Sequence, residues 1–148
     1  MTTFTETELT AAHEAAHAVV AHVNGLKVTS VEITKNGTGL CMMAGNAGQE
    51  TKLALAMVAG YVVETMLVNE ARKSEVQFNA VTFRTTHRYG VDAQNARQVF
   101  TTDVAIENAM NTVRGQLLAN WNLLEDVAFE VEDKGAVKGL KLNKLLNG

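Results

Sequence analysis

His13-Glu14-Ala15-Ala16-His17, an H-E-x-x-H written onto a run of strong helix formers, is the stretch from which both fold and chemistry are read. On an α-helix, residues four apart sit one turn above each other on the same face, so His13 and His17 can grip one ion. Glu14 lies one position round, close enough to reach a water on that ion without being a ligand. Two imidazoles that hold a metal, and a carboxylate that takes the proton from an attacking water, are the parts of a zinc-dependent peptidase. The competing reading is an Ala-rich helix with two incidental histidines.

The spacing requires a helix, and the flanking residues supply one. Thr5 and Glu8 form a T-x-x-E capping box, with Phe4 and Leu9 placed as the hydrophobic staple. Leu9, Ala12, Ala16, Val19, Val20 and Val23 recur at three- and four-residue intervals and predict one apolar stripe. Asn24-Gly25 ends the pattern in the left-handed manner usual for a helix C-terminus. His22 also lies on this helix, but at about 100° per residue it falls nearly opposite His13 and is not a third ligand.

The chain has 148 residues, of which 47% are hydrophobic, which suits one globular domain with a substantial core. The net charge of -3 argues against a polyanion-binding surface, and no nucleic-acid partner is expected. The N-terminal Met-Thr-Thr-Phe-Thr-Glu lacks the basic and apolar regions of a signal peptide. The most apolar run, Leu53 to Val68, contains Glu64 and reads as too short to span a bilayer. Cys41 is the single cysteine, so no internal disulfide is possible and a reducing cytoplasm is the expected location.

After the first helix, Lys27 to Thr34 alternates as a strand with one wet face. Asn36-Gly37 is a hairpin signal, and Leu40 to Ala44 returns as a second strand. Such a return strand either offers a free edge to an extended peptide or merely covers the helix. From Glu50 to Ala71 apolar residues cover most of a helical circumference, which marks a buried central helix. Ala56, Ala59 and Gly60 are small, as a closely packed neighbour requires. Glu64 is a carboxylate amid apolar residues, so it must be paired, hydrogen-bonded or metal-bound.

Arg72 to Tyr89 shows no clear periodicity; it reads as a long loop, a candidate substrate flap, with a short strand near Val81 to Phe83. His87 reads as a solvated loop residue. Gly90-Val91-Asp92 opens a third helix through Ala96, Val99 and Phe100, with Asp92 as its N-cap. Helices follow from Asp103 to Ala119 and after Asn120. Gly135 and Gly139 then break the chain before a short, docked terminal element rich in leucine.

Taken together, these residues resemble the peptidase domain of FtsH-type proteases, the membrane-anchored, ATP-dependent zinc metalloproteases. His13-Glu-Ala-Ala-His-Ala18 resembles the family's H-E-A-G-H-A, and Val28-Thr-Ser-Val-Glu-Ile-Thr34 its following strand. Ala56-Met-Val-Ala-Gly-Tyr-Val-Val-Glu64 is similar to its central helix, Asp92-Ala-Gln-Asn-Ala-Arg97 to the start of its next helix, and Leu117 to Ala128 to its C-terminal hairpin. The resemblance implies a mainly α (α+β) zincin-like domain with a small hairpin beside the H-E-x-x-H helix. It implies His13, His17 and Asp92 as Zn2+ ligands, Glu14 as general base, and Glu64 as a second-shell support or the alternative ligand. Ala16 stands where the family has glycine, and Asp92 lacks the family's G-A-S-N lead-in. No ATPase module is present, so ATP-driven unfolding is not implied.

The expected function is therefore a zinc endopeptidase acting on peptides or unfolded protein segments, with a separate ATPase or a homo-oligomer as candidate partners. Two rivals accompany it: a regulatory protease that cleaves one dedicated repressor, and a catalytically inactive binding or adaptor module.

Overall fold

Thr5 starts the first helix by the predicted device. Its hydroxyl accepts from the Glu8 N–H at 3.1 Å, and the Glu8 carboxylate accepts from the Thr5 N–H at 3.0 Å. The computed structural model describes residues 3–45 and 47–148, so the first two residues of the N-terminal stretch lie outside the described residues. α1 (Glu6–Val23) ends at Asn24, and Gly25 follows at φ +83° in the left-handed region. One apolar stripe was expected; instead every residue from Thr10 to Ala21 is buried. Alanines at 11, 12, 15, 16, 18 and 21 keep the helix thin, so partners close on it from all sides.

β1 (Lys27–Ile33) and β2 (Gly39–Ala44) form the expected hairpin, with Gly37 at φ +85° in its turn. A bulge between Val28 and Ser30 shifts the register, and both Val28 and Val31 face the core although they are three apart. A third strand, β3 (Ala136–Lys138), pairs with β1 on its other side. The sheet order is β2-β1-β3, so β2 is an edge strand. The two glycines that read as breaks, Gly135 and Gly139, bracket β3 with φ of +82° and +62°. Three residues between them are too few to show a period of two, which is why this strand was not anticipated.

α2 (Glu50–Val68) packs along α1 through its small face, and ten of its residues are buried. It stops earlier than expected, and a single 3-10 turn, Glu70–Arg72, follows. Its 19 residues are long and apolar enough to cross a membrane by length and composition, so length alone does not exclude a span. In this fold 56% of that window is buried against protein.

The expected flap and strand between Arg72 and Tyr89 are replaced by ordered helical turns. Asn79 accepts from the Val81 and Thr82 N–H groups and caps α3 (Ala80–Thr85); a 3-10 turn, His87–Tyr89, follows. Phe78, Phe83 and Tyr89 are buried around Tyr61 of α2. Apolar burial at four aromatic rings outweighs the weak local propensities that suggested a loop.

α4 (Gly90–Ala96) is shorter than expected and stops before Val99 and Phe100. It begins two residues before Asp92, which therefore lies inside its first turn rather than at its N-cap. α5 (Asp103–Ala119) and α6 (Trp121–Lys134) form the predicted helical hairpin. Asn120 sits at the junction, but its side chain donates back to the Gln116 carbonyl at 2.8 Å instead of capping α6. α7 (Gly139–Asn147) docks through Leu142 and Leu146. The class is mainly α with one small antiparallel sheet, as the sequence implied.

Candidate metal centre

Four side chains from two helices, His13, Glu14 and His17 of α1 and Asp92 of α4, meet beneath the start of β2. His13 and His17 lie one turn apart on α1, 7% and 4% exposed, with ring centroids 4.7 Å apart and planes nearly perpendicular. Asp92, carried in on the first turn of α4, places one carboxylate oxygen 3.2 Å from Nε2 of both rings. An ion with bonds of about 2.0–2.1 Å in tetrahedral geometry spaces its ligands roughly 3.3 Å apart, and both histidine-to-aspartate edges match that spacing.

The outer nitrogens decide what the inner ones offer. His17 Nδ1 lies 2.6 Å from the Ala56 carbonyl, which can only accept, so this nitrogen carries the hydrogen. His13 Nδ1 donates to Glu64 at 2.7 Å in the same way. When neutral, each ring turns an Nε2 lone pair toward the Asp92 carboxylate, as a cation ligand must. Three acceptors this close repel one another unless positive charge lies among them. A proton shared by His13 and Asp92 supplies that charge until a metal ion displaces it. Burial alone would lower the His13 pKa, yet its hydrogen bonds to Asp92 and Glu64, together with the charges of Glu14 and Glu64, push it up to about 9. Burial likewise opposes ionisation of Asp92, but contacts with His13 and His17 hold it well below the usual carboxylate range. The donor set is one that a divalent cation completes.

Glu14 stands beside this triangle. Its carboxylate is 3.9 Å from His13 Nε2, and burial pushes its pKa above the ordinary value, against the pull of both histidines. His13, Glu14 and His17 also form a buried group whose ligand atoms lie within 4.8 Å of one another. Gly39, the first residue of β2, closes over Glu14: a Cβ there would lie 2.5 Å from a Glu14 oxygen. Backbone can approach so closely only without a side chain.

Glu64 falls behind His13, where it orients the ring rather than joining the triangle. Arg88 then completes the arrangement, donating from Nε to Glu64 at 2.9–3.0 Å and from a terminal nitrogen to Glu6 at 3.1 Å. Tyr89 stacks parallel to the His13 ring at 6.0 Å between centroids. Neither Arg88 nor Tyr89 was singled out from sequence; the one available signal was that a buried Glu64 needs a cation. His87 is exposed on its 3-10 turn, and His22 lies beyond the site near the end of α1.

Residues 4–68 match the family model described as Peptidase M50B-like. The match spans α1, the hairpin and α2, and so includes His13, Glu14, His17 and Glu64 but not Asp92. It points to a metallopeptidase; it does not single out the FtsH type. No curated protein matches the chain.

The choice of third ligand yields a direct expectation. Asp92→Ala should weaken Zn2+ binding at least about 100-fold, more than a lost outer-sphere partner costs, whereas Glu64→Gln should weaken it roughly 10–100-fold. Competition against a chromophoric chelator measures both. The reverse order would make Glu64 the ligand.

Proposed function

We propose that this protein is a zinc-dependent endopeptidase acting on extended peptides or unfolded protein segments. The observation that carries this reading is the convergence of two histidine Nε2 atoms and the Asp92 carboxylate, with Glu14 beside them and an open cleft above. That cleft, about 510 Å³, is bounded by His13, Glu14, His17 and Asp92 below and by Thr38 to Cys41 along one wall.

The wall supports the choice of substrate. Among the described residues β2 pairs with β1 on one side only, so its outer N–H and C=O groups can pair with another extended chain. A peptide added there passes directly over Glu14, because Gly39 touches that side chain. A folded helix offers no free backbone groups to this edge; an unfolded segment does.

His13, His17 and Asp92 would hold Zn2+, with Glu64 and the Ala56 carbonyl fixing the two rings. The ion would supply Lewis acidity toward a water and the scissile carbonyl. Glu14 accepts the proton of the attacking water and returns it to the leaving amine. Burial aids that role, since a carboxylate with a raised pKa is a stronger base. Cleavage of an intrinsically unfolded protein by the zinc-loaded chain, stopped by chelation and restored by zinc, tests the reading. Failure to cleave any unfolded substrate while zinc is bound would leave the adaptor alternative.

Arg88 has a role here that can be measured separately. It neutralises Glu64, which is 7% exposed, and so keeps it an acceptor for the His13 N–H. Arg88→Met removes that partner from a buried carboxylate and is expected to cost about 1–3 kcal/mol of stability in denaturant unfolding. Zinc affinity should fall alongside, by about tenfold.

A further inference from the structure

A second cavity, about 440 Å³, opens off the catalytic cleft further along β2 and shares Cys41, Met43, Met57 and Asn95 with it. Leu53, Ala54 and Val99 complete an apolar wall, while Gln98 and Glu50 stand at its rim. The metal centre uses none of these side chains. We propose that this cavity is a specificity subsite that takes one large apolar side chain (Leu, Ile, Met or Phe) of the substrate, close to the bond that is cleaved.

Strand geometry links the cavity to the cleft. Cys41 and Met43 lie on the half-buried face of β2, and the more exposed Leu40 and Met42 border the cleft and the cavity respectively. A peptide paired with the free edge directs every second side chain to the same face as Cys41 and Met43. Gly39 marks the level of Glu14, and at about 3.3 Å per residue Cys41 and Met43 lie roughly 7 and 13 Å further along. A side chain within about three residues of the scissile bond therefore drops between them. The cavity falls in the size range of small-ligand pockets, and its methionines adapt to side chains of different shape. An acidic side chain would find no positive charge on its walls, and a basic one would meet its single opposite charge, Glu50, only at the rim.

This inference rests on the peptidase reading, so its test must separate the two. A pool of proteome-derived peptides digested by the zinc-loaded protein should show Leu, Ile, Met or Phe enriched at least about tenfold over Ala at one position near the cleaved bond. Gln98→Trp narrows the mouth and should reduce that preference about tenfold or more. A binding measurement makes the subsite independent of turnover. With zinc present, Glu14→Gln protein should bind an end-blocked extended peptide bearing Leu at that position at least about tenfold tighter than its Ala counterpart. An active protein with a flat cleavage profile overturns the subsite and leaves the peptidase reading intact. Selective binding by a parent protein that never cleaves does the opposite. Equal binding of the Leu and Ala peptides removes the subsite whatever the activity.

Discussion

Glu14→Gln is expected to lower the rate of peptide hydrolysis by a factor of about 10²–10⁴ while leaving zinc bound at one ion per chain. The substitution keeps the shape of the side chain and removes only its capacity to take a proton. Gly39 fits against that shape, with a Glu14 oxygen 2.5 Å from where its Cβ would stand, so an isosteric change preserves the seat of β2. None of the three proposed ligands is altered. Stability should be unchanged or slightly higher, because burial disfavours the charge that the wild-type residue carries. The discriminating result is the combination: activity lost, metal content by mass spectrometry unchanged, thermal midpoint not lowered. A variant that still cleaves like the parent removes Glu14 from the chemistry. One that loses both zinc and activity would instead make Glu14 a ligand, an arrangement its place beside His13 and His17 also permits.

The parts of this site that were legible in the sequence are those whose spacing is set by one helix. His13, Glu14 and His17 need only a period of 3.6 residues, and the capping box and Gly25 fixed the limits of that helix independently. Asp92 is 75 residues beyond His17, and no local pattern ties them. The family resemblance suggested it, and its carboxylate lies 3.2 Å from both rings. Its expected role as N-cap failed for a physical reason. A carboxylate drawn inward by two imidazoles is not available to the N–H groups at its helix terminus, and the turn at His87–Tyr89 already leads the chain into α4. The aromatic cluster of Tyr61, Phe78, Phe83 and Tyr89 likewise leaves no periodic trace, because its members come from two helices, a connecting segment and a 3-10 turn. β3 was hidden by brevity: its pairing with β1 depends on tertiary position, and that pairing makes β1 central and leaves β2 at the edge. The substrate-facing wall is thus set by a contact between residues about a hundred positions apart.

Gly60→Ala should destabilise the protein and abolish tight zinc binding, although the same change in an ordinary helix does the reverse. Alanine is favoured over glycine in a helix interior by about 1 kcal/mol. Gly115, on α5, is such a position: nothing lies within 4 Å of an added Cβ, and Gly115→Ala should gain up to about 1 kcal/mol. At Gly60 the added methyl falls on the His13 ring, 2.5 Å from Nδ1 and nearer still to Cε1 and Nε2. That ring has little freedom to retreat, with Glu64 holding one edge, Asp92 facing the other and Tyr89 stacked on it. Overpacking of this kind costs about 1–3 kcal/mol, which exceeds the helix-propensity gain and reverses the sign. Any shift that relieves the clash swings Nε2 away from Asp92 and His17, so zinc affinity should fall at least about 100-fold, as for a lost ligand. Paired measurements on the two glycine variants, by denaturant unfolding and zinc competition, isolate the effect from helix propensity. If Gly60→Ala gained stability and kept its zinc as Gly115→Ala does, His13 would not occupy the place between α1 and α2 on which the whole centre is built.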